Sequence, residues 1–247
     1  MKTNFKLGVL GILASIPSFA LAGEWTRVDS RSIKFSGEIT SGDKANLMRL
    51  LKRTDKRLYL NSEGGDAEEA LKIAKILLSH RLHVIVDGYC ASSCANYLFT
   101  AGNIKEIRNG WVGFHGNMVS VYKETNNKIN TMNDYTSIRY PDGIGNMSNQ
   151  DLTQSYTIFS NFLFNAMVSD HNYFTTLGIK QEFFDLSFQN DKGLNDGNFY
   201  EFLLPSPQTF AKYGFKNVKG QQKFKQEFVS YTDDSNKEVN GLRFIYK

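Results

Sequence analysis

Residues 57–94 read RLYLNSEGGDAEEALKIAKILLSHRLHVIVDGYCASSC, and this stretch decides the fold. It opens with a short apolar strand at 57–60, which runs into a diglycine turn. Apolar residues then recur at helical spacing over 67–80, and this pattern predicts an amphipathic helix. The next run, 82–86, is almost continuously apolar, as in a strand that is buried on both faces. Strand, helix and strand in this order predict a parallel βαβ unit.

The same alternation continues on both sides of this unit. A half-buried strand is predicted at 32–40, a short helix at 95–100 and another strand at 110–115. The expected fold class is therefore α/β, with a mostly parallel sheet flanked by helices and with right-handed crossovers. From 117 to 150 the pattern dissolves into Asn, Thr and Ser, which predicts a polar insert that could act as a flap or lid. Because no repeat or linker divides the chain, 23–247 is expected to form a single domain.

The first 22 residues have the composition of a secretory signal peptide. Lys2 and Lys6 precede a mostly apolar run at 7–19, and small residues follow at the positions that a signal peptidase reads, so cleavage is expected after Ala22. No later stretch is long and apolar enough to span a membrane. We therefore expect an exported protein without a transmembrane anchor, in the periplasm or further out, where disulfides can form.

Composition excludes several classes of protein. The chain has 247 residues, of which 41% are hydrophobic, enough for a packed core. Two cysteines cannot make a disulfide scaffold or a four-thiolate zinc site. The formal net charge of +4 gives no indication of a nucleic-acid partner. No cofactor and no metal site are expected.

Two motifs carry the chemistry, and each follows a predicted buried strand. They are NSEGG at 61–65 and GYCASSC at 88–94. In an open parallel sheet, ligands bind at this edge. A diglycine turn lets the backbone approach a reacting atom and point N–H groups at an oxyanion. Ser92 would lie in the positive field of a helix N-terminus, and His115, at the end of the next strand, could reach it as a general base.

In this order and spacing the chain resembles the proteolytic subunit of the Clp protease and its relatives in the ClpP/crotonase superfamily, above all exported proteins with a Cys-Ala-Ser-x-Cys turn. The resemblance covers about 32–115. It implies repeated ββα units, a serine hydrolase acting on peptides or proteins, and assembly of identical subunits. The residues that it assigns are the nucleophile Ser92, the base His115, and the oxyanion-hole donors Gly64 or Gly65 with the amide of Ser93.

The register around the nucleophile leaves two serines open. Counting forward from Gly88 selects Ser92, whereas counting back from the Ala-Gly pair at 101–102 selects Ser93. We favour Ser92 because the glycine turn directly positions it, and we keep Ser93 as the alternative nucleophile.

The third member of a catalytic triad has no clear motif. In the family the acid lies upstream of the final helix, where Asp196 is the nearest candidate and Asp191 the next. The alternative is a Ser-His dyad in which a backbone group orients the imidazole. Cys90 and Cys94 flank the serines, and they could form a disulfide that braces the turn or remain buried thiols.

Two rival functions stay open at this point. One is a catalytically inactive binding or assembly protein of the cell envelope, built on the same fold. The other is acyl-thioester chemistry of the crotonase kind, against which export away from the coenzyme A pool argues.

Overall fold

The computed structural model of the protein describes residues 23–189, 199–223, 228–232 and 238–247. The predicted signal peptide, 1–22, lies outside the described residues, as do both candidate acids, Asp191 and Asp196. Within the described residues the strands form two sheets.

The larger sheet sets the fold class. Among the described residues it has six strands, in the order β1-β2-β3-β4-β5-β7. These strands are β1 (Glu24–Asp29), β2 (Ser32–Ser36), β3 (Arg57–Ser62), β4 (His83–Ala91), β5 (Ile104–Gly113) and β7 (Val218–Gly220). β1 runs antiparallel to β2, and the other neighbouring pairs are parallel. The predicted α/β class with a mostly parallel sheet is confirmed.

Helices connect and cover these strands. In the described part of the chain they are α1 (Asp43–Leu50), α2 (Ala67–His80), α3 (Met118–Lys128), α4 (Met132–Arg139), α5 (Asn149–Leu177), α6 (Gln181–Gln189) and α7 (Pro207–Lys212). The short helix predicted at 95–100 is a π-helix, Cys94–Phe99. Single π-helical turns are rare in proteins, and those that occur are often located at functional sites. No helix among the described residues combines the length and apolarity needed to cross a membrane.

The core unit forms where the apolar pattern predicts it. Residues 84–86 of β4 are fully buried, since the strand is covered on both faces. Helix α2 begins where the Asp66 side chain accepts a hydrogen bond from the Glu69 N–H, at 3.0 Å. It ends at His80, because the next residue, Arg81, has a left-handed backbone, and its Leu77 side chain is buried in the core.

A second, smaller sheet lies beside the end of β5. Its strands are β6 (Phe199–Leu204), β9 (Glu238–Tyr246) and β8 (Phe228–Thr232), in that order. Two backbone hydrogen bonds join it to the larger sheet: the Phe114 N–H donates to Leu203 O at 3.0 Å, and the Leu203 N–H donates to Phe114 O at 2.7 Å. The residue after Phe114 is His115, so this junction places the histidine next to β6.

The stretch 117–150 differs from the expectation of an irregular polar insert. It holds α3, α4 and the start of α5. Asn117 caps α3, and Thr131 and Ser148 form capping boxes at the starts of α4 and α5. The buried apolar residues within 117–150 are few and far apart, namely Val119 and Tyr135. A search for aliphatic periodicity therefore misses these helices, although their polar residues mark the helix starts.

Candidate active site

Ser92 projects from the turn that joins β4 to the π-helix. Its backbone is left-handed, with φ of 53°, which is uncommon for a residue other than glycine. The Ser92 N–H donates to Gly113 O at the end of β5, at 3.0 Å, and Ser92 O accepts from the Asn96 N–H at 2.8 Å. A sharp, hydrogen-bonded turn of this kind holds a side chain at the carboxyl edge of the sheet. Residues held in sparsely populated conformations cluster at functional sites.

A disulfide brackets this turn. It links Cys90, in the last part of β4, to Cys94, the first residue of the π-helix. Both cysteines are completely buried. Of the two alternatives left open by the sequence, the structure therefore contains the cross-linked form, with Ser92 and Ser93 inside the closed loop.

His115 lies against Ser92. The His115 Nε2 atom is 2.6 Å from Ser92 Oγ, within hydrogen-bond distance. The two residues are 23 apart in sequence and come from the ends of neighbouring parallel strands, β4 and β5. Both side chains are half-buried, so Ser92 is open to a reactant.

The loop that carries His115 is held by side chains from three helices. The Asn96 side-chain amide donates to Gly116 O at 2.8 Å. The Gly116 N–H donates to Ser187 Oγ at 2.9 Å, and the Met118 N–H donates to a carboxylate oxygen of Asp170 at 2.7 Å. We call 115–118 the histidine loop. Its backbone direction is fixed by these three contacts on the π-helix, α6 and α5.

The imidazole of His115 is neutral at ordinary pH. Burial removes water from the ring and lowers the pKa of His115 to about 4, although a hydrogen bond to its own backbone opposes the shift in part. A neutral ring has one nitrogen that accepts a proton, and Nε2 is the nitrogen that faces Ser92. The ring edge also meets an aromatic side chain: the rings of His115 and Phe202 are 5.3 Å apart between centroids and lie at 88°.

The diglycine turn lies directly beside Ser92. A Cβ atom built on Gly64 would be 2.7 Å from Ala91 O and 2.8 Å from Ser92 Cβ, so only glycine fits there. The Gly64 N–H donates to Ser62 Oγ at 3.1 Å and is therefore engaged. Among the described residues, the N–H groups of Gly65 and Ser93 have no hydrogen-bond partner. These two amides are the donors that remain for an oxyanion.

Ser93 differs from its neighbour in what its side chain contacts. The Ser93 hydroxyl donates to Gly65 O at 2.8 Å and is 6% exposed. It joins the serine turn to the diglycine turn instead of facing His115. Of the two serines that the sequence left open, Ser92 is the one that the structure brings to the histidine.

Charged partners and metal ligands are missing from the described part of this site. No carboxylate among the described residues hydrogen-bonds to His115, and the candidate acids Asp191 and Asp196 lie outside those residues. Within 23–189 and the later described segments, no group of three or more His, Cys, Asp or Glu side chains could hold a metal ion.

Several residues of the site escaped the sequence analysis. They are Ser62, Asn96, Asp170, Ser187 and Phe202. Ser62 belongs to the NSEGG motif, and Asn96 follows Ser92 by one helical turn, so both could have been found by local reasoning. Asp170, Ser187 and Phe202 come from distant parts of the chain, and no pattern in the sequence signals their approach to His115.

The site and fold together define a class: a mostly parallel α/β protein with a serine and a histidine paired at the carboxyl edge of its sheet. No protein-family model matches the chain, and no curated protein matches it. Among solved structures, the chain is similar to the crystal structure of the ClpP protease catalytic domain from Plasmodium falciparum, at 14% identity and a TM-score of 0.39, covering 79% of this chain and 88% of that chain.

The chain is also similar to the structure of Pseudomonas aeruginosa DspI, at 11% identity and a TM-score of 0.30. That match covers 41% of this chain and 55% of the DspI chain, so this chain spans about half of its length. A ClpP protease, the family that the motifs resemble, is thus among the similar structures. Both TM-scores are low, so the properties of the site rest on this chain's own contacts.

Proposed function

We propose that this protein is a serine hydrolase of ClpP-like fold that cleaves acyl bonds, most simply those of peptides. The observation that carries the proposal is the 2.6 Å approach of Ser92 Oγ to Nε2 of a neutral His115. A hydroxyl next to a positioned base is the arrangement that nucleophilic catalysis requires. The peptide as substrate comes from the resemblance of the motifs to the Clp protease subunit.

The first half of the reaction forms an acyl-enzyme. Ser92 Oγ attacks the substrate carbonyl carbon, while its proton passes to His115 Nε2. The carbonyl oxygen becomes an oxyanion, which the N–H groups of Gly65 and Ser93 would stabilise. The tetrahedral intermediate then collapses, the bond to the leaving group breaks, and the imidazolium gives its proton to that group.

The second half releases the product. Water attacks the acyl carbon and gives a proton to His115 Nε2; the ester bond to Ser92 breaks, and the proton returns to Ser92 Oγ. Burial disfavours the charged imidazolium that both halves require, and the described residues offer it no carboxylate. We therefore expect turnover to be slow, so covalent labelling is a better first assay than steady-state hydrolysis.

The proposal includes a periplasmic location. The basic, apolar and small residues of 1–22 support export, and a disulfide between Cys90 and Cys94 fits an oxidising compartment.

The test is labelling of the purified chain with a fluorophosphonate probe, followed by mass-spectrometric mapping of the adduct. We expect an adduct on Ser92 that disappears in Ser92→Ala and falls at least tenfold in His115→Ala. Ser93→Ala is the matched control, and its adduct should stay on Ser92. An adduct that persists in folded Ser92→Ala would refute the assignment of the nucleophile.

The second candidate is a non-catalytic binding or assembly protein of the envelope. The observation that favours it is a set of large apolar side chains on α5 that stay exposed: Ile158 at 62%, Phe162 at 51% and Phe164 at 50%. It predicts no adduct on a folded protein and a partner recovered by crosslinking in the native compartment. Ile158 and Phe162, which share one face of α5, would serve assembly of identical subunits if the protein is the hydrolase.

A further inference from the structure

Two side chains of the described residues, Ser92 and Phe202, contact the ring of His115. On one side, His115 Nε2 meets Ser92 Oγ at 2.6 Å. On another, the ring packs edge to face with Phe202, with 5.3 Å between the ring centroids. In serine hydrolases a carboxylate usually holds the base, fixing its tautomer and orientation. Here the described neighbour is an aromatic ring.

Phe202 is itself held firmly. It is 9% exposed and packs in a small apolar cluster with Ala91, Leu204 and Phe244. The adjacent residue, Leu203, is tied to Phe114 by two backbone hydrogen bonds. These contacts join β6 to the end of β5, so Phe202 cannot move away from His115 without disrupting the junction between the sheets.

Gly113 makes room for this ring. A Cβ atom built on Gly113 would lie 3.1 Å from both Cβ and Cδ1 of Phe202, closer than most side-chain contacts. Gly113 is the last residue of β5 and precedes His115 by two residues. The absence of a side chain at Gly113 thus leaves space for the Phe202 ring close to His115.

Among the described residues, no charged group pairs with the ring of His115. The turn after β4 contributes the neutral Ser92, and β6 contributes Phe202. The carboxylates that meet the histidine loop or α6 are Asp170 and Asp185, and both are hydrogen-bonded to other groups. Water is therefore the species that Phe202 excludes from the imidazole.

We infer that Phe202 is a positioning residue for the proposed base: its ring restricts the imidazole to the orientation that faces Ser92 and keeps water from the ring. The inference rests on the proposed hydrolase function for its catalytic meaning. It makes Phe202 responsible for the low proton affinity of His115, a property that can be measured without any turnover.

The experiment is an NMR titration of ¹³C-labelled histidine from about pH 3 to pH 8, with His115→Ala to assign the signal among the four histidines. In the wild-type protein the pKa of His115 should be about 4. Phe202→Leu should raise it by about one unit, because a smaller side chain admits water to the ring. Phe202→Tyr keeps the ring and should leave the pKa within a few tenths of a unit of the wild-type value.

Phe210→Leu is the matched control. Phe210 is 2% exposed and packs on Phe99, Phe114 and Phe215, and no described contact joins it to His115. The same truncation there should leave the His115 titration unchanged. At pH 7, Phe202→Leu should also slow fluorophosphonate labelling about tenfold, since a loosened ring faces Ser92 for less of the time.

Two results overturn the inference. One is a wild-type His115 that titrates near its ordinary value of 6.5. The other is an equal pKa in Phe202→Leu and Phe210→Leu. If the wild-type protein takes no label but the pKa shifts as expected, the hydrolase proposal fails while the role of Phe202 in positioning and dehydrating His115 stands.

Discussion

The serine turn, 88–94, and the histidine loop, 115–118, meet at one hydrogen bond but are built differently. The serine turn is held by a disulfide across it, by a left-handed residue and by hydrogen bonds whose partners include Gly113 O and Gly65 O. The histidine loop is held by Asn96, Asp170 and Ser187, which reach it from three separate helices.

This difference shows which contacts position Ser92 and which position His115. Ser92 is placed mainly by backbone geometry: the cross-linked, left-handed turn, the hydrogen bond to Gly113 O and the close approach of the diglycine turn. His115 is placed by tertiary packing, so its position depends on contacts between residues 52 and 71 apart in sequence. Changes to the contacts of Ser92 should therefore act on reaction, with a loss of stability where the cross-link is removed, whereas changes behind the histidine loop should act first on stability.

The largest effect is expected at the contact between the diglycine turn and the serine turn. Gly64→Ala should reduce labelling of Ser92 about a hundredfold or more, because the new Cβ would lie 2.8 Å from Ser92 Cβ and displace it. Gly42→Ala is the control, since Gly42 has a similar φ of 101° but no atom within 4 Å of the added Cβ. Equal labelling of the two variants would contradict a tight contact at Gly64.

The next effect concerns the cross-link of the serine turn. Replacing both Cys90 and Cys94 by alanine should lower the free energy of unfolding by about 2 kcal/mol, as expected for a short closed loop. Labelling should slow about tenfold, because Ser92 then leaves its left-handed conformation more often. Urea unfolding and labelling rates measure the two effects. An unchanged unfolding midpoint would mean that the cross-link does not support the turn.

A smaller effect is expected behind the histidine loop. Burial raises the pKa of Asp170 to about 6, while hydrogen bonds from Tyr97 and the Met118 N–H oppose the shift. A raised carboxyl pKa adds stability that is complete below the ordinary pKa and is lost as the pH rises through about 6. Acidifying from pH 7 to pH 5 should therefore stabilise the wild-type protein by about 1 kcal/mol relative to Asp170→Asn.

Comparing the wild-type protein with Asp170→Asn cancels the contributions that other groups titrating between pH 5 and pH 7 make to stability. Asp142→Asn, in an exposed turn, is the control and should follow the wild-type pH dependence. Parallel unfolding curves for the wild-type protein and Asp170→Asn at both pH values would contradict the buried, protonatable Asp170.

The smallest expected effect is that of pH on the labelling of Ser92. Because the pKa of His115 is about 4, the neutral base predominates at both pH 7 and pH 5. Labelling of Ser92 should therefore change less than twofold between these values, whereas a base of pKa 6.5 would lose about twentyfold. The measurement should be repeated in Asp170→Asn, since Asp170 titrates between the two values. A large fall in both proteins would assign His115 an ordinary pKa.

Local patterns predicted the fold of the first half of the chain well. The continuous apolar run of β4 and the helical spacing of α2 each describe one element and one buried face, so they can be read without the rest of the molecule. The helices within 117–150 were missed because they bury few apolar residues, Val119 in α3 and Tyr135 in α4, and their starts are marked by capping residues.

The residues of the site also fall into two groups, those that local patterns predicted and those that depend on tertiary packing. Ser92, His115 and the diglycine turn follow strand ends, so their order in the sequence predicted that they would meet. The catalytic roles given to them stay predictions. The contacts of Phe202 and Asp170 depend on how the second sheet and α5 pack against the first, and no short-range pattern encodes that packing. The acid proposed at Asp196 falls outside the described residues and stays a prediction.

The left-handed backbone of Ser92 lowers folding stability at the position that supplies the nucleophile of the proposed reaction. A side chain at φ of 53° costs conformational energy that glycine does not. Ser92→Gly should therefore unfold at a higher urea concentration than Ser92→Ala, while neither variant takes label. If the proposed reaction is correct, selection for folding stability alone would favour glycine at position 92. The serine would then be kept because the reaction needs its hydroxyl.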